Sequence, residues 1–313
     1  MKKFFRNILL FLFPVMVLIL LLPVNPRLRY IGLKHDCFNH GIWIYDRIFN
    51  NPERVDVAFF GSSHTINDMD DRLIEEHLTK KLSVANFGYC RLGRNLSYVL
   101  LKELLKKKHP QYVFLEVRED EDYFSHPIFP YVASDGDVLF PHLLFDARYF
   151  SDVWVHFSYK IELLQDALFS KENEEPVRTG NFGHSAFSDT VSPAVLEKVL
   201  QKQGRPKEKQ SKTVRNFHLA FARGYLKAIH QLCRHEKIKL IFLFLPSYGS
   251  GLKKPKEFAT YMKYGQVWIP PQAILCKKSN WHDAGHLNRE GAKELSLWFA
   301  KRMNLLLQKK NAK

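Results

Sequence analysis

Short, almost wholly apolar runs recur along the chain and alternate with stretches of helical period. The run at 55–60 ends in Gly61-Ser62-Ser63-His64, and a second at 82–87 leads into a loop from Gly88 to Gly93. A third covers 112–117, and the longest, 238–245, is closed by Pro246. Runs of this length bounded by Gly, Ser and Pro predict buried strands. Between them, 73–78 reads as a helix, Leu96, Val99, Leu100 and Leu104 fall at helical spacing behind a cap at Asn95, and 217–235 and 290–307 read as long helices. Strands without polar alternation, separated by helices, predict an α/β fold: three layers, α/β/α, around a mainly parallel sheet. Such sheets place their chemistry beyond the carboxyl ends of the strands. Ser63, Gly88, Gly93, Glu116, Arg118 and Ser247 all follow strand ends and are expected to share one rim.

The pattern changes at both ends of this frame. Residues 8–24 form an apolar run preceded by Lys2, Lys3 and Arg6 and interrupted only by Pro14 and Pro23. Its length suits a bilayer core, and no small-residue cleavage site follows. The expectation is one uncleaved N-terminal transmembrane helix over 1–24, a tether over 25–52, and a main domain over 53–308 on the extracytoplasmic side. Arg27, Arg29 and Lys34 also flank the run, so charge alone does not fix its orientation. Residues 120–212 lack the strand-helix rhythm: aromatics crowd the first part and polar residues the later parts, as in an insertion.

Composition adds three constraints. Fourteen per cent aromatic residues, with 25 Phe, argue for a packed core. The net charge of +15 suits an anionic membrane face or an acidic polymer. No zinc-finger or helix-turn-helix signature accompanies it, so nucleic acid is not expected as a partner. The cysteines Cys37, Cys90, Cys233 and Cys276 fit no zinc spacing, and an even count in an exported domain permits disulfides without requiring them.

Two segments carry candidate chemistry. Gly61-Ser62-Ser63-His64 offers a hydroxyl at a strand-to-helix turn, with small neighbours that let a substrate approach backbone N–H groups. A plain turn with a helix N-cap gives the same tetrapeptide. Trp281-His282-Asp283-Ala284-Gly285-His286-Leu287-Asn288 precedes the last helix; its Asp and His, three apart, suit an orienter and a base. A polar loop, or with His282 a metal site, are the other readings of that segment alone.

Taken in chain order, the blocks resemble the SGNH, or GDSL-like, hydrolase family. Gly61-Ser62-Ser63 is similar to its first block, Asn86-Phe87-Gly88 with Gly93 to its second, and Asp283-Ala284-Gly285-His286 to its last. The likeness spans 54–118 and 216–305. It implies an SGNH, flavodoxin-like fold with Ser63 as nucleophile, His286 as base, Asp283 as orienter, and the amides of Ser63 and Gly93 or Gly88 as oxyanion donors, with no cofactor. Where the family has Gly-x-Asn-Asp, this chain reads Leu115-Glu116-Val117-Arg118, so the side-chain oxyanion donor is missing or replaced by Arg118. His64, Arg118 and Ser247 are expected to line the substrate. The anchored form resembles proteins that modify bacterial envelope polymers. The implied activity is that of an esterase or O-acyltransferase on acylated envelope glycans. Alternatives are a lipid esterase using the aromatics of 123–159, or an inactive accessory protein that binds a glycan or a membrane acyltransferase.

Overall fold

The computed structural model describes residues 2–21, 26–33, 36–142, 147–169, 180–203 and 211–311. The chain runs α1 (Lys2–Leu21), α2 (Pro26–Ile31), α3 (His40–Tyr45), β1 (Val57–Phe60), α4 (Ser63–Asp68), α5 (Asp71–Glu76), β2 (Val84–Asn86), α6 (Arg94–Leu104) and β3 (Tyr112–Val117). It continues through α7 (Phe129–Val132), α8 (Asp135–Leu139), α9 (Tyr149–Phe169), α10 (Pro193–Gln203), α11 (Lys212–His235), β4 (Lys239–Phe244), α12 (Phe258–Tyr261), β5 (Gln266–Trp268), α13 (Gln272–Leu275) and α14 (Arg289–Asn311).

The five strands form one parallel sheet in the order β2-β1-β3-β4-β5. Val57 pairs with Val84 on one side and Tyr112 on the other, and Tyr112 pairs with Lys239. Successive side chains point to opposite faces of a strand. Ala58, Phe60, Val113, Leu115, Phe242 and Phe244 therefore enter one core with α6 and α11. Val57, Phe59, Phe114, Ile241 and Leu243 enter the other with Leu295, Phe299 and Met303 of α14. Both faces are covered, which is why the strands carry no polar alternation. The order is that of a doubly wound sheet whose connections reverse between β1 and β3. Ser63 follows β1 and Arg118 follows β3, so the candidate chemistry stands at the switch point.

The structure differs from the sequence reading in several places. The segment expected as a tether is built into the domain from residue 26 onward: Tyr30, Trp43, Ile44 and Ile48 are core residues. Arg47, 1% exposed, donates to the carbonyls of Glu53 and Arg54 at 2.7 and 2.8 Å. Cys37 and Cys90 are disulfide-bonded, tying this segment to the loop after β2, while Cys233 and Cys276 are free. In the chain-entropy picture, closing a loop of this length stabilises by about 4 kcal/mol. Gly93, not Asn95, caps α6; the Asn95 carboxamide instead accepts from the amide of His126 and donates to Ser125.

No helix among the described residues is long and apolar enough to cross a membrane. The apolar part of α1 runs from residue 8 to 21, about 21 Å at 1.5 Å per residue, short of a bilayer core. The rest of the expected span, 22–24, lies outside the described residues, as do 171–178 and most of the second polar stretch, 201–212.

Candidate active site

The turn after β1 is held by one carboxylate. Glu116, 1% exposed at the end of β3, accepts from the Ser62 amide at 2.6 Å and the Ser62 hydroxyl at 2.7 Å. It also accepts from the Thr65 amide at 3.2 Å and the Thr65 hydroxyl at 2.6 Å. Gly61 makes this possible, since any side chain there would overlap Glu116 and Thr65. Ser62 is the N-cap of α4, its hydroxyl accepting from the His64 amide at 3.2 Å. A helix begins with unsatisfied N–H groups. Here the amides of 62, 64 and 65 are all taken, and that of Ser63 has no partner among the described residues. The main chain of β3 is fixed in turn by the buried Arg94, which donates to the Glu116 carbonyl at 2.6 Å and forms a two-pronged ion pair with Glu121 at 2.7 Å. Paired donors in a plane are what a guanidinium matches best.

The second half of the site is the loop 282–286. The Asp283 carboxylate accepts from the amides of Gly285 and His286 at 2.6 and 2.7 Å, closing a tight Asx turn. The same carboxylate lies 2.9 Å from His286 Nδ1, and His286 Nε2 lies 2.8 Å from Ser63 Oγ. With Nδ1–H donating to Asp283, Nε2 is left to accept from the hydroxyl. Burial alone would raise the Asp283 pKa, but the hydrogen bond and charge of His286 and the two amides outweigh it and hold the carboxyl well below its usual range. The loop is pinned from below, where Leu287 donates to the buried Asp68 carboxylate at 2.9 Å and Tyr248 donates to the Ala284 carbonyl at 2.8 Å.

Ser63, His286 and Asp283, with a sequence separation of 223 between Ser63 and His286, therefore meet as a relay of hydrogen bonds. The remaining expected site residues divide. Arg118 and Ser247 meet at 2.8 Å beside the loop. His64 is 2% exposed, so it backs His286, with ring centroids 5.1 Å apart, instead of lining an open cleft. Burial, reinforced by the charges of Arg118 and His286, pushes its imidazole well below the ordinary value and keeps it neutral. Gly88 is not free to hold an oxyanion, because its amide donates to the Asn86 side chain at 3.1 Å. Gly93 faces His126, which a side chain there would overlap. Of the expected donors, the amides of Ser63 and Gly93 have no hydrogen-bond partner among the described residues.

Sequence reasoning missed the strap 180–191. The amides of Gly183 and His184 donate to the buried Asp71 at 2.7 and 3.2 Å, and the Ser185 amide donates to the Ile66 carbonyl at 3.1 Å. Further along, Val191 donates to the Trp281 carbonyl, and Arg289 donates to the Phe187 carbonyl. The strap thus clips α4 to the loop 282–286. Phe187 stacks on His282 with centroids 4.0 Å apart and 6° between planes, and stands 5.6 Å from the His286 ring. His282 is engaged in that stack, and no group of three or more His, Cys, Asp or Glu residues suited to a metal ion occurs among the described residues. Among the aromatics of 123–159, Phe129 enters the core, while Phe150 and Trp154 are at the surface.

No protein-family model matches the chain, and no curated protein matches it.

Proposed function

We propose that the protein is a serine esterase or O-acyltransferase of the SGNH type, acting on acyl esters of envelope glycans from an N-terminal membrane anchor. The observation that carries this reading is the Ser63–His286–Asp283 relay at 2.8 and 2.9 Å, at the switch point of a parallel sheet. Ser63 Oγ attacks the ester carbonyl carbon while His286 Nε2 takes its proton. The Ser63 amide points its N–H at the oxyanion that forms. As the carbonyl re-forms, the bond to the leaving alcohol breaks and His286 returns the proton to that oxygen. The acyl group is then an ester of Ser63. Water or a sugar hydroxyl, deprotonated by His286, attacks it; the acid or new ester departs and Ser63 regains its proton. Asp283 keeps the imidazole in the accepting tautomer throughout.

Three observations support the setting. The Cys37–Cys90 disulfide fits an oxidising, extracytoplasmic compartment. The net charge of +15 and Arg118 at the rim suit an anionic polymer or headgroup. The apolar residues of α1 suit an anchor that continues into 22–24.

A second reading is favoured by one observation. Val117 stands where the family's Gly-x-Asn-Asp block places its asparagine, so no side-chain amide donates to an oxyanion from that position. That suits a non-catalytic domain that binds a glycan or a membrane acyltransferase. A fluorophosphonate probe separates the two. The enzyme reading expects stoichiometric labelling at Ser63, loss of labelling and of acetyl-ester hydrolysis in Ser63→Ala, and an unchanged melting temperature. An unlabelled, inactive wild type that still binds glycan supports the second reading; activity surviving Ser63→Ala defeats the serine mechanism.

A further inference from the structure

Helix α9 packs inward through a mixed face, with Leu163 buried and Val153 against the core, and keeps large apolar side chains on its outer side as well. Its inward face carries Asp152, His156, Tyr159 and Lys160, each less than a tenth exposed. His156 bridges the Pro130 carbonyl and the Asp135 carboxylate at 2.7 Å each, and Lys160 donates to Asp135 at 3.0 Å. Its outward face carries Phe150 (85% exposed), Trp154 (74%) and Ile161 (40%), with the half-buried Phe157 completing the stripe. Spacings of four, three and four residues put all four on one side of the helix. A helix packed on a core in water turns its apolar side inward, so this arrangement asks for an apolar neighbour outside.

The same helix holds the chain where it leaves the N-terminal apolar run. The Tyr159 hydroxyl reaches the carbonyls of Leu28 and Arg29 at 3.1 Å, and Arg29 donates to the Ala133 carbonyl at 3.3 Å. α1 also touches α9. Between Val24, the end of the expected span, and Pro26, the start of α2, the chain covers no more than about 7 Å.

We propose that the outward face of α9 rests on the lipid surface, so that the domain sits against the bilayer beside its own anchor. This rests on the anchor reading of the previous section. An anchor that ends at residue 24 and a chain docked on α9 from residue 28 leave no tether on which the domain could stand away. Lipid fits the face in kind as well as in place: Trp settles at the membrane interface, where its ring meets acyl chains and its indole N–H meets headgroups, and Phe accompanies it on the apolar face of helices that lie in the interface plane. The basic surface adds attraction to anionic headgroups. The consequence for the reaction is a site held at a fixed height over the membrane, suited to a substrate that is itself membrane-linked.

The test uses the full chain in vesicles of phosphatidylethanolamine and phosphatidylglycerol with brominated acyl chains, which quench tryptophan on contact. Trp43, Trp268 and Trp281 are buried and Trp298 is half-buried, which leaves Trp154 as the most exposed indole. The expected result is strong quenching in the wild type that is largely lost in Trp154→Phe, with little quenching of Trp154 by iodide. Protein that floats with the vesicles but whose Trp154 is quenched by iodide and not by bromolipid overturns the proposal and leaves the anchor standing. Trp154 shielded from both quenchers, together with self-crosslinking through α9, assigns the face to a second copy and also overturns it. Protein that does not float at all defeats the anchor reading, and this proposal with it.

Discussion

Two carboxylates organise the two halves of the site, and they do it in different surroundings. Glu116 is buried in the sheet and holds the turn that carries Ser63. Asp283 sits in a loop with its side chain 47% exposed and holds the turn that carries His286. Each accepts two backbone amides. The difference is in what happens when the carboxylate is lost. Water can reach the amides that Asp283 releases, whereas those released by Glu116 face packed side chains and have no substitute acceptor. One carboxylate should therefore behave as part of the fold and the other as part of the reaction.

The largest effects test the loop side. His286→Ala should lower the hydrolysis rate by roughly 10⁴-fold or more, because the hydroxyl loses its base. Asp283→Ala should cost less, and the double variant should match His286→Ala, since an orienter has nothing left to orient once the base is gone. Single-turnover kinetics with a small acetyl ester measure this, and melting temperatures should move little in all three. A metal site would give a different pattern, with inhibition by chelators and His282→Ala as damaging as His286→Ala. Additive losses from Asp283→Ala and His286→Ala would break the pairing.

On the sheet side the order reverses, with stability leading. Glu116→Ala leaves two amides and two hydroxyls without their acceptor in a buried place. At about 1–3 kcal/mol for each unsatisfied group, softened by relaxation, a loss of about 3 kcal/mol or more is expected. Glu116→Gln can keep its oxygen toward the crowded side and turn its NH₂ to the Ser62 hydroxyl, so it should lose only about 1–2 kcal/mol. Urea denaturation of the two variants checks the contrast. Equal, small losses would show that the turn holds itself and that Glu116 is there for some other reason.

The same division explains what could be read from the chain. β1, β3 and β4 announce themselves as apolar runs because both faces of the sheet are covered, and Ser63, Asp283 and His286 could be picked out because Ser63 follows a strand end and the ordered blocks around all three resemble those of a known family. Glu116 left a trace, an acid inside the otherwise apolar run 112–117, but only the structure shows that it points under the turn that carries Ser63. The strap 180–191 left none. Its hold on the site comes from backbone donors such as Gly183 to Asp71 and Ser185 to Ile66, and backbone groups are the same in every sequence. β5 is three residues long, too short for a period to show. Residues 26–52 read as a tether because basic and polar residues dilute their apolar ones; Arg47 turns out to be buried, its guanidinium satisfied by carbonyls that no spacing rule reveals.

The smallest effect expected is the most specific to the loop carboxylate. The pKa of Asp283 in the folded protein is well below its ordinary value, despite the opposing influence of burial, because His286 and two amides favour the ionised form. The unfolded chain then binds more protons than the folded one at acid pH, so this group's contribution is complete above the unfolded pKa, near 3.9, and fades as pH falls toward the folded one. Asn at 283 cannot titrate. The melting-temperature gap between wild type and Asp283→Asn should accordingly close progressively below about pH 4. With half the side chain in solvent, the gap should be modest and should shrink further in high salt. Calorimetry from pH 3 to pH 7 at two ionic strengths reads it directly. A gap that widens below about pH 4 would mean that the folded state holds Asp283 protonated, and the carboxylate could then no longer be the partner that keeps His286 ready to accept the Ser63 proton.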